Sequence, residues 1–177
     1  MELPQLLDQW HTGIRINHVA HSRAATRFER RGLIFGIVAT ACSAASGSAL
    51  FSTIATNPAQ PTSRILTVIA AFLSVATAVL AAMQTFLKYP ELAALHKTAA
   101  RKYGQLRRRF ELQLASPPAD KETMQKFTAE LEEEWNSLDD ESPNIPQDIF
   151  DSTKNELNTK LGDPVSRSQT SGGPQKG

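Results

Sequence analysis

The distribution of charge constrains this chain most. Of its 19 basic and 18 acidic residues, only Arg64 falls within residues 32–87. An uncharged stretch of 25 residues runs from Gly32 to Thr56, and a second of 23 from Ile65 to Leu87. A helix of about 23 residues at ~1.5 Å each spans the ~30 Å hydrocarbon core of a bilayer. Between the stretches, Asn57 to Arg64 includes Pro58 and Pro61, which predicts a non-helical turn and hence a helical hairpin. A buried hairpin in a soluble protein is the competing reading. Full membrane length and flanking arginines favour the membrane. The 31-residue charged leader and the long apolar stretch argue against a secretory signal.

Lys and Arg set the expected orientation. Residues 1–31 hold five arginines (Arg15, Arg23, Arg27, Arg30, Arg31), the turn holds Arg64, and residues 88–109 hold seven basic residues. The positive-inside rule then places both termini in the cytoplasm and the turn outside. For a bacterial chain this means the inner membrane.

The flanking segments read as helices. Leu7, Trp10, Ile14, His18, His21, Ala25 and Phe28 recur at steps of three and four, which predicts one semi-apolar face over residues 1–31. From Pro90 to about residue 115, Leu92, Leu95, Ala99, Tyr103, Leu106, Phe110 and Leu114 form an eleven-residue repeat. This helix is expected to pair with the N-terminal one and extend the hairpin into the cytosol. Met124, Phe127, Leu131, Trp135 and Leu138 predict a helix over 120–138. Phe150, Leu157 and Leu161 predict a short one over 147–161, and Pro164–Gly177 reads as a disordered tail. The expected fold is therefore all-α: a transmembrane hairpin (32–87), long cytosolic helices (1–31, 88–115), and a small acidic helical module (116–163).

Residues 88–114 carry seven basic and two acidic residues, and 115–163 carry four basic and thirteen acidic. The acidic module can therefore fold back on the basic helix, with Arg107, Arg108 and Arg109 facing Glu132, Glu133 and Glu134. Solvated faces near anionic headgroups are the alternative.

Signatures of chemistry are lacking. No phosphate loop, HExxH, GxSxG or paired-carboxylate motif occurs, so neither an enzyme nor a cofactor is expected. A net charge of +1 argues against nucleic-acid binding. Cys42 stands alone, and His18 with His21 lacks an evident third metal ligand. The spans instead carry small and weakly polar stripes. Gly32, Gly36 and Gly47 are candidate close-packing positions. Thr40, Ser43, Ser74, Thr77 and Gln84 are candidates to line a narrow pore. Two helices cannot enclose a pore, so that reading requires a homo-oligomer in the lipid bilayer.

Over residues 10–161 the layout resembles the SLATT family, the two-transmembrane domain associated with SMODS and SLOG proteins. The resemblance lies in the basic helix His21-Ser22-Arg23-Ala24-Ala25-Thr26-Arg27-Phe28-Glu29-Arg30-Arg31 and the hairpin after it. It continues in Ala99-Ala100-Arg101-Lys102-Tyr103-Gly104-Gln105-Leu106-Arg107 and in Leu138-Asp139-Asp140-Glu141-Ser142-Pro143-Asn144-Ile145-Pro146. It implies an oligomeric pore-forming effector of a prokaryotic anti-phage or conflict system. A separate sensor protein or a nucleotide second messenger would activate it. The alternative expectation is a non-conducting membrane-anchored adaptor that recruits a partner through its acidic module.

Overall fold

A computed structural model describes residues 3–55, 61–118 and 120–162. Among them five helices follow one another: α1 (Leu3–Ala55), α2 (Pro61–Leu87), α3 (Tyr89–Ala115), α4 (Lys121–Glu141) and α5 (Gln147–Gly162). No strand occurs among the described residues, so the chain is all-α. The N-terminal helix and the first apolar stretch are one continuous helix of 53 residues. Nothing between Pro4 and Ala55 breaks it, since no proline intervenes and Gly13, Gly32, Gly36 and Gly47 are single weak points. The expected turn is shorter than its sequence implied. Pro61 to Arg64 form the first turn of α2, with Pro61 at a helix start, where its missing N–H costs nothing. The rest of that turn, residues 57–60, the end of the first span at Thr56, and the expected tail lie outside the described residues.

The chain divides into two compact units. The first contains the described residues of Met1–Ala25 and Ala94–Gly177. Its core is Leu7 and Ile14 from α1, Tyr103, Leu106 and Phe110 from α3, and Phe127, Leu131 and Leu138 from α4, with Trp10, Met124 and Trp135 against it. Gly13 admits the Trp135 indole, because a Cβ there would stand 2.8 Å from the ring. Trp135 meets Trp10 edge to face at 6.2 Å. Asp120 opens α4 by accepting from the backbone N–H groups of Glu122 (3.1 Å) and Thr123 (2.9 Å). Helix α5 buries Ile149, Thr153 and Leu157. The sequence pattern had placed Phe150 where Ile149 is the buried residue, and the Leu161 side chain lies outside the described set. Pro143 and Pro146 hold the α4–α5 connection outside helical geometry.

The second unit, Thr26–Ala93, is the hairpin. Among the described residues two helices are long and apolar enough to cross a membrane, and only 6% of each apolar window is buried. Leu33, Ile37, Phe51, Ile65, Phe72, Val75 and Phe86 are each at least 59% exposed, with Phe86 at 87%. A soluble hairpin would cover such side chains.

Helix α2 ends at Lys88, whose φ of 44° is left-handed. The Lys88 N–H donates to the Gln84 carbonyl at 3.3 Å, and its carbonyl accepts from the Leu92 N–H at 3.0 Å. One residue thus closes α2 and opens α3, ahead of Pro90, which has no N–H to lose. Lys88→Val is expected to destabilise the hairpin unit by roughly 1–2 kcal/mol relative to Lys88→Gly, because a branched Cβ is strained at this φ. Both variants remove the same charge, so thermal melts in one detergent isolate the backbone effect. Equal melting temperatures would remove the argument for strain.

Candidate functional site

Two features stand out: the hairpin with its outer sides, and a polar cluster inside the helical bundle. Along α2 the inward residues are Ser63, Leu66, Ala70, Leu73, Thr77, Leu80, Gln84 and Leu87, at alternating steps of three and four. The matching α1 line is Gly32, Phe35, Ala39, Cys42, Ser46 and Ala49. Such alternation is the seam of a left-handed antiparallel pair. At its centre the Ser46 hydroxyl lies 3.1 Å from the Ala70 carbonyl and 2.7 Å from the Ser74 hydroxyl. Ser74 is itself 2.8 Å from that carbonyl. One hydroxyl donates to the carbonyl and the other donates to its neighbour, so this small network is satisfied within the apolar seam. Sequence reasoning missed Ser46. Its place four and seven residues from Cys42 and Ala39 on one apolar line was the available signal.

The candidate packing glycines separate. A Cβ at Gly32 would meet the Tyr89 Cβ at 3.4 Å, and one at Gly36 would meet the Gln84 Nε2 at 3.5 Å. Gly47 has nothing within 4 Å of such a Cβ, so within this chain it is no close crossing. The Gly32 space admits Tyr89, whose ring stacks on Phe28 and Phe35 at centroid distances of 6.1 and 5.7 Å.

The five candidate pore residues separate as well. Thr77 and Gln84 face the seam, and the Ser74 hydroxyl is engaged there. Thr40 and Ser43 lie outside the seam and are exposed. Thr40 donates to the Gly36 carbonyl at 2.9 Å, and Thr67, Thr77 and Thr85 likewise bond the carbonyl four residues back. These hydroxyls therefore need no water.

The outer surface of α2 has two unlike sides, and on α1 a line of small residues runs between Leu33 and Leu50, which are 64% and 47% exposed. At about 100° per residue, Gly36, Thr40, Ser43 and Gly47 lie roughly a quarter turn from the α1 seam. Thr67, Ala71, Ser74, Ala78, Ala81 and Thr85 form a similar strip on α2, displaced from its seam in the same rotational sense. Because the helices are antiparallel, equal rotations turn both strips to one side. The opposite flank of α2 carries Ile65, Ile69, Phe72, Val79 and Met83, all exposed.

The bundle holds a buried polar cluster. His21 on α1 and His96 on α3 are 2% and 1% exposed, with their Nδ1 atoms 2.9 Å apart. One nitrogen carries the proton and donates to the other. The His21 ring stacks on Tyr103 at 5.3 Å, and the Tyr103 hydroxyl donates to Asp139 Oδ1 of α4 at 2.9 Å. Burial, reinforced by His96, brings the His21 pKa down to about 4, and burial also lowers that of His96. His18 packs over Gly104, with its Nδ1 buried and unbonded. Burial lowers its pKa, helped by the charges of Arg107 and Arg108. Burial and the bond to Asp139 hold the Tyr103 phenol far above its usual range.

Ion pairs ring this cluster. Arg109 reaches both Glu134 (2.7 Å) and Glu130 (3.0 Å), and Lys102 reaches Glu141 (2.6 Å). Of the six residues expected to pair across α3 and α4, the structure joins only Arg109 and Glu134. Arg107 turns to Glu111 on its own helix at 3.3 Å, while Arg108, Glu132 and Glu133 are exposed. Arg23 clasps α5, donating to Thr153 at 3.1 Å and pairing with Glu156. Bonds from Lys160 and Arg23 bring the Glu156 pKa down to about 2.

Fold and site together define an all-α protein that contains a hairpin long and apolar enough to cross a membrane and, as a separate unit, a charged helical bundle. The chain belongs to the mobilome CxxCx(11)CxxC protein family, whose model matches residues 16–156. No curated protein and no solved structure matches it. Two CxxC pairs suit a tetrahedral zinc. This chain holds a single cysteine, Cys42, and no group of three metal-ligating side chains converges among the described residues. The residues present do not fit such a metal.

Proposed function

We propose that this chain is an oligomeric membrane effector which, when activated, forms a pore and disrupts the membrane in a prokaryotic anti-phage or conflict system. It sits in the inner membrane with both termini in the cytoplasm. The observation that carries the reading is the two-sided hairpin. The large apolar side chains on one flank of α2 suit lipid. The small strip of Gly36, Thr40 and Ser43, continued by Thr67, Ala71 and Ala78, suits close approach of another hairpin. A family named for the mobilome suits a conflict setting, and the resemblance of the layout to SLATT proteins supports the effector role. The trigger is a separate sensor protein or a nucleotide second messenger. Glu130, Glu134 and Glu141 are engaged within the bundle, which weighs against an adaptor that recruits through its acidic helix.

Thr40→Val together with Ser43→Ala should leave the seam intact and make the small strip more apolar. Oligomers scored by cross-linking are expected to persist, while depolarisation read with a potential-sensitive dye falls at least tenfold as an apolar lumen dewets (roughly the scale of 1.4 kcal/mol). Gly36→Leu, by contrast, is expected to abolish both. If every variant that stops depolarising also stops assembling, the strip is packing and not a lumen. A wild-type chain that reaches the membrane and never depolarises it leaves the adaptor.

A further inference from the structure

The arginines that precede the apolar stretch are not spread evenly round α1. Arg30 lies four and seven residues before Ile34 and Ile37, and Arg31 lies three and seven before Ile34 and Val38, so both continue the side of the helix that those residues occupy. Ile34, Ile37 and Val38 are 49%, 59% and 43% exposed. Arg30 and Arg31 are exposed, and among the described residues neither is ion-paired. Glu29 falls on a different side, seven residues before Gly36, in line with the small strip. Cationic heads therefore stand below the large apolar side, and an acidic residue stands below the small one.

We infer that Arg30 and Arg31 form a binding site for the phosphate of an anionic phospholipid whose acyl chains lie along Ile34, Ile37 and Val38. The chemistry fits on three counts. A guanidinium presents a planar fork of donors that matches phosphate oxygens. Its aliphatic stem lies along apolar surface while its head reaches the polar boundary. Two cations at one depth favour an anionic headgroup over a zwitterionic one, whose own ammonium opposes them. The side bearing Arg30 and Arg31 is thus the lipid side of the hairpin, and the small strip is left for protein. The inference rests on the membrane-spanning reading of the hairpin.

The full chain in detergent, given equal amounts of dioleoyl phosphatidylglycerol and dioleoyl phosphatidylcholine, tests it by native mass spectrometry. Retained phosphatidylglycerol is expected to exceed phosphatidylcholine by roughly thirtyfold, the scale set by two near-surface arginines. The preference should weaken as salt rises. Arg30→Gln with Arg31→Gln should abolish it. Arg108→Gln with Lys126→Gln removes the same charge from exposed positions elsewhere and should preserve it. Equal retention of both lipids by the wild type, or equal loss in both double variants, would overturn the site. Carbonate extraction of membranes separates the two failures. A chain released by carbonate overturns the membrane reading along with the site, whereas a retained chain without lipid preference overturns the site alone.

Discussion

Phe110→Ala is expected to lower the stability of the helical bundle by about 3–5 kcal/mol, the range for truncating a fully buried aromatic side chain. Phe110 has no exposed surface, stacks on His11 at 5.7 Å and lies 6.4 Å from Phe127. Its ring fills the space between α1 and α4, and removing it leaves a cavity that rigid neighbours such as Leu131 and Tyr103 cannot close. Leu114→Ala is the matched control. It continues the same sequence stripe on α3 but is 42% exposed, so its loss should stay below about 1 kcal/mol. Chemical denaturation of the full chain in micelles, followed by near-ultraviolet circular dichroism, measures both. Similar losses would mean that the buried face of α3 has been misassigned.

Acidification from pH 7 to pH 4 should cost stability on the order of 2–3 kcal/mol through the histidine pair. His21 titrates near 6.5 when unfolded and is brought down to about 4 in the fold. The folded chain therefore binds fewer protons in this window. The contribution is complete above pH 6.5, declines as pH falls below that value, and levels off below about 4. Protonation also breaks the contact itself, since an imidazolium turns an N–H toward the donor nitrogen of its partner. The groups facing the pair act in both directions: Asp139 from α4 raises the His21 pKa, while His96 from α3 lowers it. Glu156 remains ionised across the window, its pKa held near 2, so the Arg23 clasp does not contribute to the loss. His21→Phe with His96→Phe should flatten the profile between pH 6.5 and 4. Denaturation midpoints at several pH values decide the matter. An unchanged slope in the double variant would assign the acid sensitivity elsewhere.

Much of the bundle was legible because aliphatic and aromatic residues at helical spacing name one face. Phe127, Leu131 and Leu138 on α4 and Leu7 and Ile14 on α1 are buried as their spacing predicts. On α3 the pattern misled. Leu95 and Leu114 are 54% and 42% exposed, while Ala93, His96 and Ala100 are buried. The true stripe is displaced by one residue at its start. A polar His96 reads as surface until His21 is seen to supply its hydrogen-bond partner. The candidate site was less legible still. Small residues recur at several helical spacings in both spans, and Ala, Ser, Thr and Gly differ too little in hydrophobicity to single out one face. The candidates Thr40, Ser43, Ser74, Thr77 and Gln84 therefore mixed seam residues with outward ones.

By itself, the sequence determined the two apolar helices, their punctuation by proline and the charge that bounds them. These depend on solvation and backbone geometry, which act locally on each residue. Only the tertiary structure decided which faces meet: the Ser46–Ser74 contact, the His21–His96 pair, and Arg109 bound to Glu130 and Glu134 while Arg108 stays exposed. Each depends on the register between one helix and another. A shift of one residue turns a helix by about 100°, and the pattern of any single helix carries no information about where its partner begins.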